Sequence, residues 1–216
     1  MPVPENYSIV IIGSMNPMLH HPSFYRRVGI ITAAEETASL EGNLTCTRQV
    51  TQLDIKGVRV MCLPDRYQVA TPDAARSDQV VDVASRAMDA LPHTPVAVFG
   101  INIDRVRHTA LPSVPARFAE LARTLPLGFR GGADASSAFK YVSNAEVQDA
   151  RRRVTVVLNP VDDDPHALQV KCNFNYEMHP TTDMFDLGAM IRERFPLDFA
   201  ESAAAVESTL TALTVH

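Results

Sequence analysis

Residues His166–Met178 read HALQVKCNFNYEM, and this stretch decides how the chain folds. Leu168, Val170, Cys172, Phe174, Tyr176 and Met178 alternate with Gln169, Lys171, Asn173, Asn175 and Glu177 over eleven residues. A period of two belongs to a strand whose successive side chains point to opposite faces. One face meets an apolar core, and the other meets water or a partner. Arg151–Asn159 is a second β-rich run, and Asn159–Pro165 (NPVDDDP) joins the two as a hairpin loop.

Outward from there, Phe139–Ser143 reads as a further strand, and Gly128–Ser137 (GFRGGADASS) as a linker or loop, with three of the nine glycines and little to bury. Ahead of it, Val114, Phe118, Leu121 and Leu125 share a helical face over Ser113 to Thr124. Thr94–Asp104 (TPVAVFGINID) is apolar over most of its length and reads as a strand buried on both faces. Val80, Val81, Ala84, Met88 and Leu91 recur at helical spacing after a start at Thr71-Pro72-Asp73, and Pro92 ends that helix. Arg48–Ile55 and Val58–Leu63 flank Lys56-Gly57, a hairpin signal, and Tyr7–Gly13 is a short β-branched strand. Between them Ser14–Thr45, with Pro17 and Pro22, reads as loop, with Val28–Thr32 a short strand or helix end. Two helices close the chain. One starts near Thr181 or Thr182 and uses Met184, Leu187 and Ile191; the other is capped by Asp198 and uses Phe199, Ala203, Val206, Leu210 and Leu213.

These elements predict an α+β fold of two tandem strand–strand–helix units, their antiparallel sheets packed against helices on one face. The first unit covers 1–127, the glycine-rich segment 128–137 and the second unit 138–216. VRVMCLPDRYQVAT-P-D in the first half and HALQVKCNFNYEMHP-T-T-D in the second carry the repeated order.

The chain has 216 residues, 46% of them hydrophobic and 21% charged, the composition of a folded globular protein. A net charge of -5 argues against sequence-independent nucleic-acid binding, which needs Lys and Arg against phosphates. MPVPENYSIVIIG has no basic start and too short an apolar run for a signal peptide or membrane span, so a cytoplasmic protein with no membrane partner is expected. Cys46, Cys62 and Cys172 match no metal spacing and fit buried thiols in a reducing compartment.

No phosphate-binding loop, dinucleotide fingerprint or nucleophile elbow is present, and no motif calls for a cofactor. The seven histidines lack metal-ligand spacing, so no metal site is expected, and Asp162-Asp163-Asp164 reads as a solvated turn rather than a calcium loop. Three sets of residues stand out. Asn102, Asp104, Arg105 and His108 follow the apolar part of their strand, where a small-ligand site can form, although a satisfied hydrogen-bond network explains them as well. Arg151, Arg152 and Arg153 guard an edge strand or contact an anion together with Arg130 and Lys140. Gln169, Lys171, Asn173, Asn175 and Glu177 form a polar stripe that could meet a partner or continue a sheet between subunits. Gly100 marks a bulge or a point of close backbone approach.

The strand Thr94-Pro-Val-Ala-Val-Phe-Gly-Ile-Asn102, with a second unit ending in an alternating strand and terminal helices, resembles a sporadically distributed family of bacterial conserved hypothetical proteins. The resemblance implies a bacterial accessory protein and carries no catalytic residue. The expected function is thus non-catalytic binding or oligomeric scaffolding through a protein partner or a homo-oligomer. A small-molecule cleft between the units is the alternative, and an enzyme without a local signature the third reading.

Overall fold

A computed structural model of the chain describes residues 5–124, 139–147, 150–179 and 186–214. Its elements begin with strand β1 (Asn6–Gly13), helices α1 (Pro22–Arg27) and α2 (Ala33–Glu41), and strands β2 (Thr45–Cys46), β3 (Thr51–Ile55), β4 (Val58–Leu63) and β5 (Arg66–Thr71). Helix α3 (Ser77–Asp89), strand β6 (Val96–His108) and helix α4 (Val114–Thr124) follow. Strands β7 (Phe139–Val147), β8 (Ala150–Val161) and β9 (Asp164–Met178) lead into helix α5 (Leu187–Thr214). The glycine-rich Gly128–Ser137 and the start near Thr181 lie outside the described residues.

The expected α+β class holds, in the form of one large antiparallel sheet of nine strands, ordered β2-β3-β4-β5-β1-β6-β9-β8-β7. Lys56 and Gly57 both take positive φ, 51° and 76°, so the β3–β4 link is a type I′ turn whose twist matches the strands it joins. Leu53, Val60, Val69, Ile9, Ile101, Phe174 and Val154 stand opposite one another across seven strands and are all buried. This row is the floor of the core. Burying each such side chain contributes roughly 1.5–3 kcal/mol. Val80, Val83, Ala84 and Met88 of α3 and Leu187, Ile191, Phe195 and Val206 of α5 are buried in the same core. Phe99 stacks on Tyr176 with ring centroids 4.5 Å apart.

The structure departs from the sequence reading in four places, each for a local reason. Ser14–Thr45 is largely helical rather than loop. Pro17 and Pro22 sit in the first turn of short helices, where a missing N–H costs nothing, and Thr32 and Glu35 form a capping box at the start of α2. Thr71 ends β5 rather than capping α3; Asp73 caps a short 3-10 turn by accepting from the Ala75 N–H at 2.9 Å. β6 is buried on one face only, because helices cover one side of the sheet. The two expected C-terminal helices are one helix that passes through Pro196. Leu187, Ile191, Phe195, Ser202, Val206 and Leu213 keep one buried stripe along its length, and that packing outweighs the lost backbone hydrogen bond.

A buried aromatic cluster closes the β4–β5 end of the core. His20 Nδ1 lies 2.9 Å from the Tyr25 hydroxyl, which is 3.3 Å from that of Tyr67, and the His20 ring sits 4.6 Å from the Tyr67 ring. Burial lowers the pKa of His20 from 6.5 to about 4. The unfolded chain therefore takes up a proton below 6.5 that the folded chain refuses until about 4. Stability is complete above 6.5 and is lost as pH falls towards 4, at about 1.4 kcal/mol per pH unit. Urea unfolding at about pH 7 and about pH 4.5 should show the wild type losing some 2–3 kcal/mol more than a His20→Phe variant. Equal losses in the two proteins would rule out a neutral buried imidazole.

Candidate functional site

Because side chains alternate along every strand, the residues between the core positions form a second set of rows on the other face. In one of them Thr155, Asn173, Asn102, Ser8, Ala70 and Arg59 stand in register across six strands. In the next, Val157 faces Lys171, Lys171 faces Asp104, and Asp104 faces Asn6. On the other flank, Arg153, Asn175, Gly100, Val10 and Gln68 line up. Apart from Ala70, Arg59 and Arg153, these residues line a hollow of about 580 Å³ over β5, β1, β6, β9 and β8. Its lining consists of strand residues only, so it is set into the face that the helices leave open.

The centre of the hollow is a chain of amides. Asn173 Nδ2 donates to Asn102 Oδ1, and Asn102 Nδ2 donates to Ser8 Oγ at 3.3 Å. Asn6 Nδ2 reaches the same hydroxyl at 3.4 Å. These bonds occupy one donor and one acceptor of Asn102, while each amide offers two of both. Gly100 carries no bulge. A Cβ there would stand 2.9 Å from Asn175 Oδ1, so the missing side chain lets that amide lie across the strand. Burial raises the Asp104 carboxyl above its ordinary pKa, and Lys171 opposite it offsets part of the rise. A half-buried carboxylate and a cation thus face each other at one end of the amide row.

The sequence-predicted residues separate by strand parity. Asn102 and Asp104 line the hollow together with Lys171, Asn173 and Asn175 from the polar stripe. Gln169 and Glu177 lie on the same face of β9, beyond the two ends of the hollow. Arg105 is on the helix face, where it is buried with its guanidinium 4.4 Å over the Phe199 ring, and its Nε and Nη2 have no hydrogen-bond partner among the described residues. His108 is exposed at the strand end, with Nδ1 3.3 Å from Asp164 Oδ2. The arginine triplet divides in the same way. Arg151 and Arg153 are exposed on the open face, whereas Arg152 points under α5. β8 is an inner strand, so the triplet does not guard an edge. Lys140 is exposed on β7, and Arg130 lies outside the described residues. Ser8, Asn6 and Arg66 were missed. Ser8 sits inside an apolar run, and only its pairing with Asn102 gives it a role.

A second groove, of about 550 Å³, runs between α3 and α5 over Val81, Phe195 and Phe199. It follows a helix-packing seam that the Arg192–Asp89 pair bridges at 2.7 Å; of its polar lining, Arg192 is engaged by Asp89, and Asp82 and Arg86 by each other at 3.6 Å. Among the described residues no three His, Cys, Asp or Glu side chains cluster as a metal site requires. Among them, too, no helix is long and apolar enough to cross a membrane. No protein-family model matches the chain, and no curated protein matches it in sequence.

Arg152 ties β8 to α5. It donates to Asp198 at 2.8 Å and Glu201 at 2.6 Å, and Tyr176 donates to Asp198 at 2.7 Å. Burial opposes the charge on Arg152, but the bonds to Glu201 and Asp198 outweigh it and hold the guanidinium protonated. Asp198, 1% exposed, has its carboxyl raised by burial, with the bonds from Tyr176 and Arg152 pulling it only part of the way back. Removing one partner of a buried pair costs about 3–5 kcal/mol. Arg152→Ala should therefore lower the unfolding free energy by about 3 kcal/mol in urea titration, while Arg151→Ala and Arg153→Ala stay within about 0.5 kcal/mol of wild type.

Proposed function

We propose that the chain is a non-catalytic binding protein that takes a small, polar ligand into the hollow on its open sheet face. The observation that carries this reading is the row Asn173–Asn102–Ser8, three hydrogen-bonding side chains from three strands at the floor of one concavity. Its volume of about 580 Å³ matches sites for single small molecules, roughly 300–1,000 Å³. Amides present donors and acceptors together, so they suit hydroxyl, amide or heterocyclic edges. Asp104 supplies one negative charge and Lys171 and Arg66 two positive ones, which suits a neutral, zwitterionic or singly anionic ligand. Among the described residues the lining has no aromatic side chain, so orientation depends on hydrogen bonds rather than stacking.

We read the chain further as two tandem units, divided in front of β6 rather than at the glycine-rich segment 128–137. Each would run strand, helical segment, meander, helix: β1, α1 and α2, β2–β5 and α3 in the first, then β6, α4, β7–β9 and α5 in the second. The strand order supports this division, because the first strands of both units, β1 and β6, are antiparallel neighbours at the centre of the sheet. The hollow would then lie at the junction of the duplicated units. In this reading the protein is an intracellular accessory factor. A protein partner would use the same polar face, and the concavity favours the ligand that fits inside it.

A thermal-shift screen of sugars, nucleosides and amino acids should yield ligands that raise the melting temperature. Calorimetry should then show Asn102→Ala, Asn173→Ala and Lys171→Ala each weakening binding about tenfold, the value of one lost hydrogen bond of some 1.4 kcal/mol. Gly100→Val should abolish binding by pushing Asn175 into the hollow. A panel with no stabilising compound, or one whose binding ignores all four substitutions, would sink the reading.

A further inference from the structure

The two edges of the sheet are unlike. One ends in β2, of two residues (Thr45–Cys46), and the other in β7, of nine (Phe139–Val147). Among the described residues β7 pairs only with β8, so its outer row of N–H and C=O groups points away from the sheet. Tyr141 is 63% exposed on one face of this strand and Val142 is 38% exposed on the other. A long edge strand with exposed apolar side chains is a template for another strand.

We infer that the strand it receives is β7 of a second copy, paired antiparallel about a two-fold axis at Ser143. The charge pattern selects this occupant and this register. Lys140 and Glu146 lie three residues either side of Ser143, and both point to the open face of the sheet. A two-fold axis normal to the sheet keeps each face on its own side, so only pairings that match faces are available. Centred on Ser143, Lys140 of each copy stands opposite Glu146 of the other, Tyr141 opposite Ala145, and Val142 opposite Asn144. Centred on Val142, Lys140 meets only Asn144. Centred on Asn144, Glu146 meets only Val142. Glu146 has a 3.2 Å contact with His179 in its own chain and is 71% exposed, which leaves it room for a second cation. The two nine-stranded sheets then continue into one, with all the polar hollows on the same side.

A nine-residue edge is at the small end of specific interfaces, so a dissociation constant of roughly micromolar order is expected. Sedimentation equilibrium from about 1 to about 200 µM should resolve monomer and dimer. Lys140→Glu and Glu146→Lys should each weaken self-association about tenfold, because each places two like-charge pairs at the axis. An equimolar mixture of the two variants should recover wild-type association, because both ion pairs re-form in the mixed dimer. That recovery also excludes misfolding as the cause of the losses. Ser143→Cys should form a disulfide-linked dimer on oxidation, since residues directly opposite have Cα atoms about 4.5–5.5 Å apart. Asn144→Cys, which would face Val142, should not, and wild type controls for Cys46. A chain that stays monomeric throughout, or a dimer indifferent to both charge changes and cross-linked equally by the two cysteines, would overturn the proposal.

Discussion

Strand β6 is hydrogen-bonded to β1 on one side and to β9 on the other, and every strand of the sheet lies to one side of it or the other. Its side chains alternate strictly. Phe99, Ile101, Ile103 and Arg105 face the helices, and Val98, Gly100, Asn102 and Asp104 face the hollow. The same thirteen residues therefore hold the core together and set the floor of the site. A slip of one position would exchange the two faces and bury Asn102 and Asp104 under α5, so the register of β6 is under strong constraint.

Helix α5 is placed on that sheet by polar contacts as well as by its apolar stripe. Arg152, Tyr176 and Asp198 lock one point of the helix to β8 and β9, and Arg105 sits under Phe199, the next residue along. A buried charge pair adds little to stability against an apolar replacement, but it penalises every arrangement that leaves a charge unpaired. Such a penalty selects one position for a helix that carries a proline in its interior.

Much of this was legible in the sequence where one residue type has one local consequence. The alternation of His166–Met178 gave β9, Lys56-Gly57 gave the I′ hairpin, and the spacing from Val80 to Met88 gave α3. Prolines misled, because Pro17 and Pro22 mark helix starts, and Asp198 was taken as a cap although the stripe of Leu187, Ile191, Phe195 and Val206 runs past it in one helix. The site was half legible. Asn102 with Asp104, and the polar stripe of β9, were read as separate features, because their union depends on the pairing of Asn102 with Asn173, which no local pattern encodes. Arg105 and Arg152 were grouped with their sequence neighbours, although adjacent residues of a strand lie on opposite faces.

The amide row also bears on the order in which the chain assembles. Ser8 and Asn102 are 94 residues apart, and Asn102 and Asn173 are 71. The β3–β4–β5 and β7–β8–β9 meanders close over short loops, whereas β1–β6 and β6–β9 must bring together distant segments against a larger entropic cost. That difference in loop-closure entropy favours the local hairpins before such pairings. The hollow is then the last surface to be completed, and it exists only in chains whose two halves have already met.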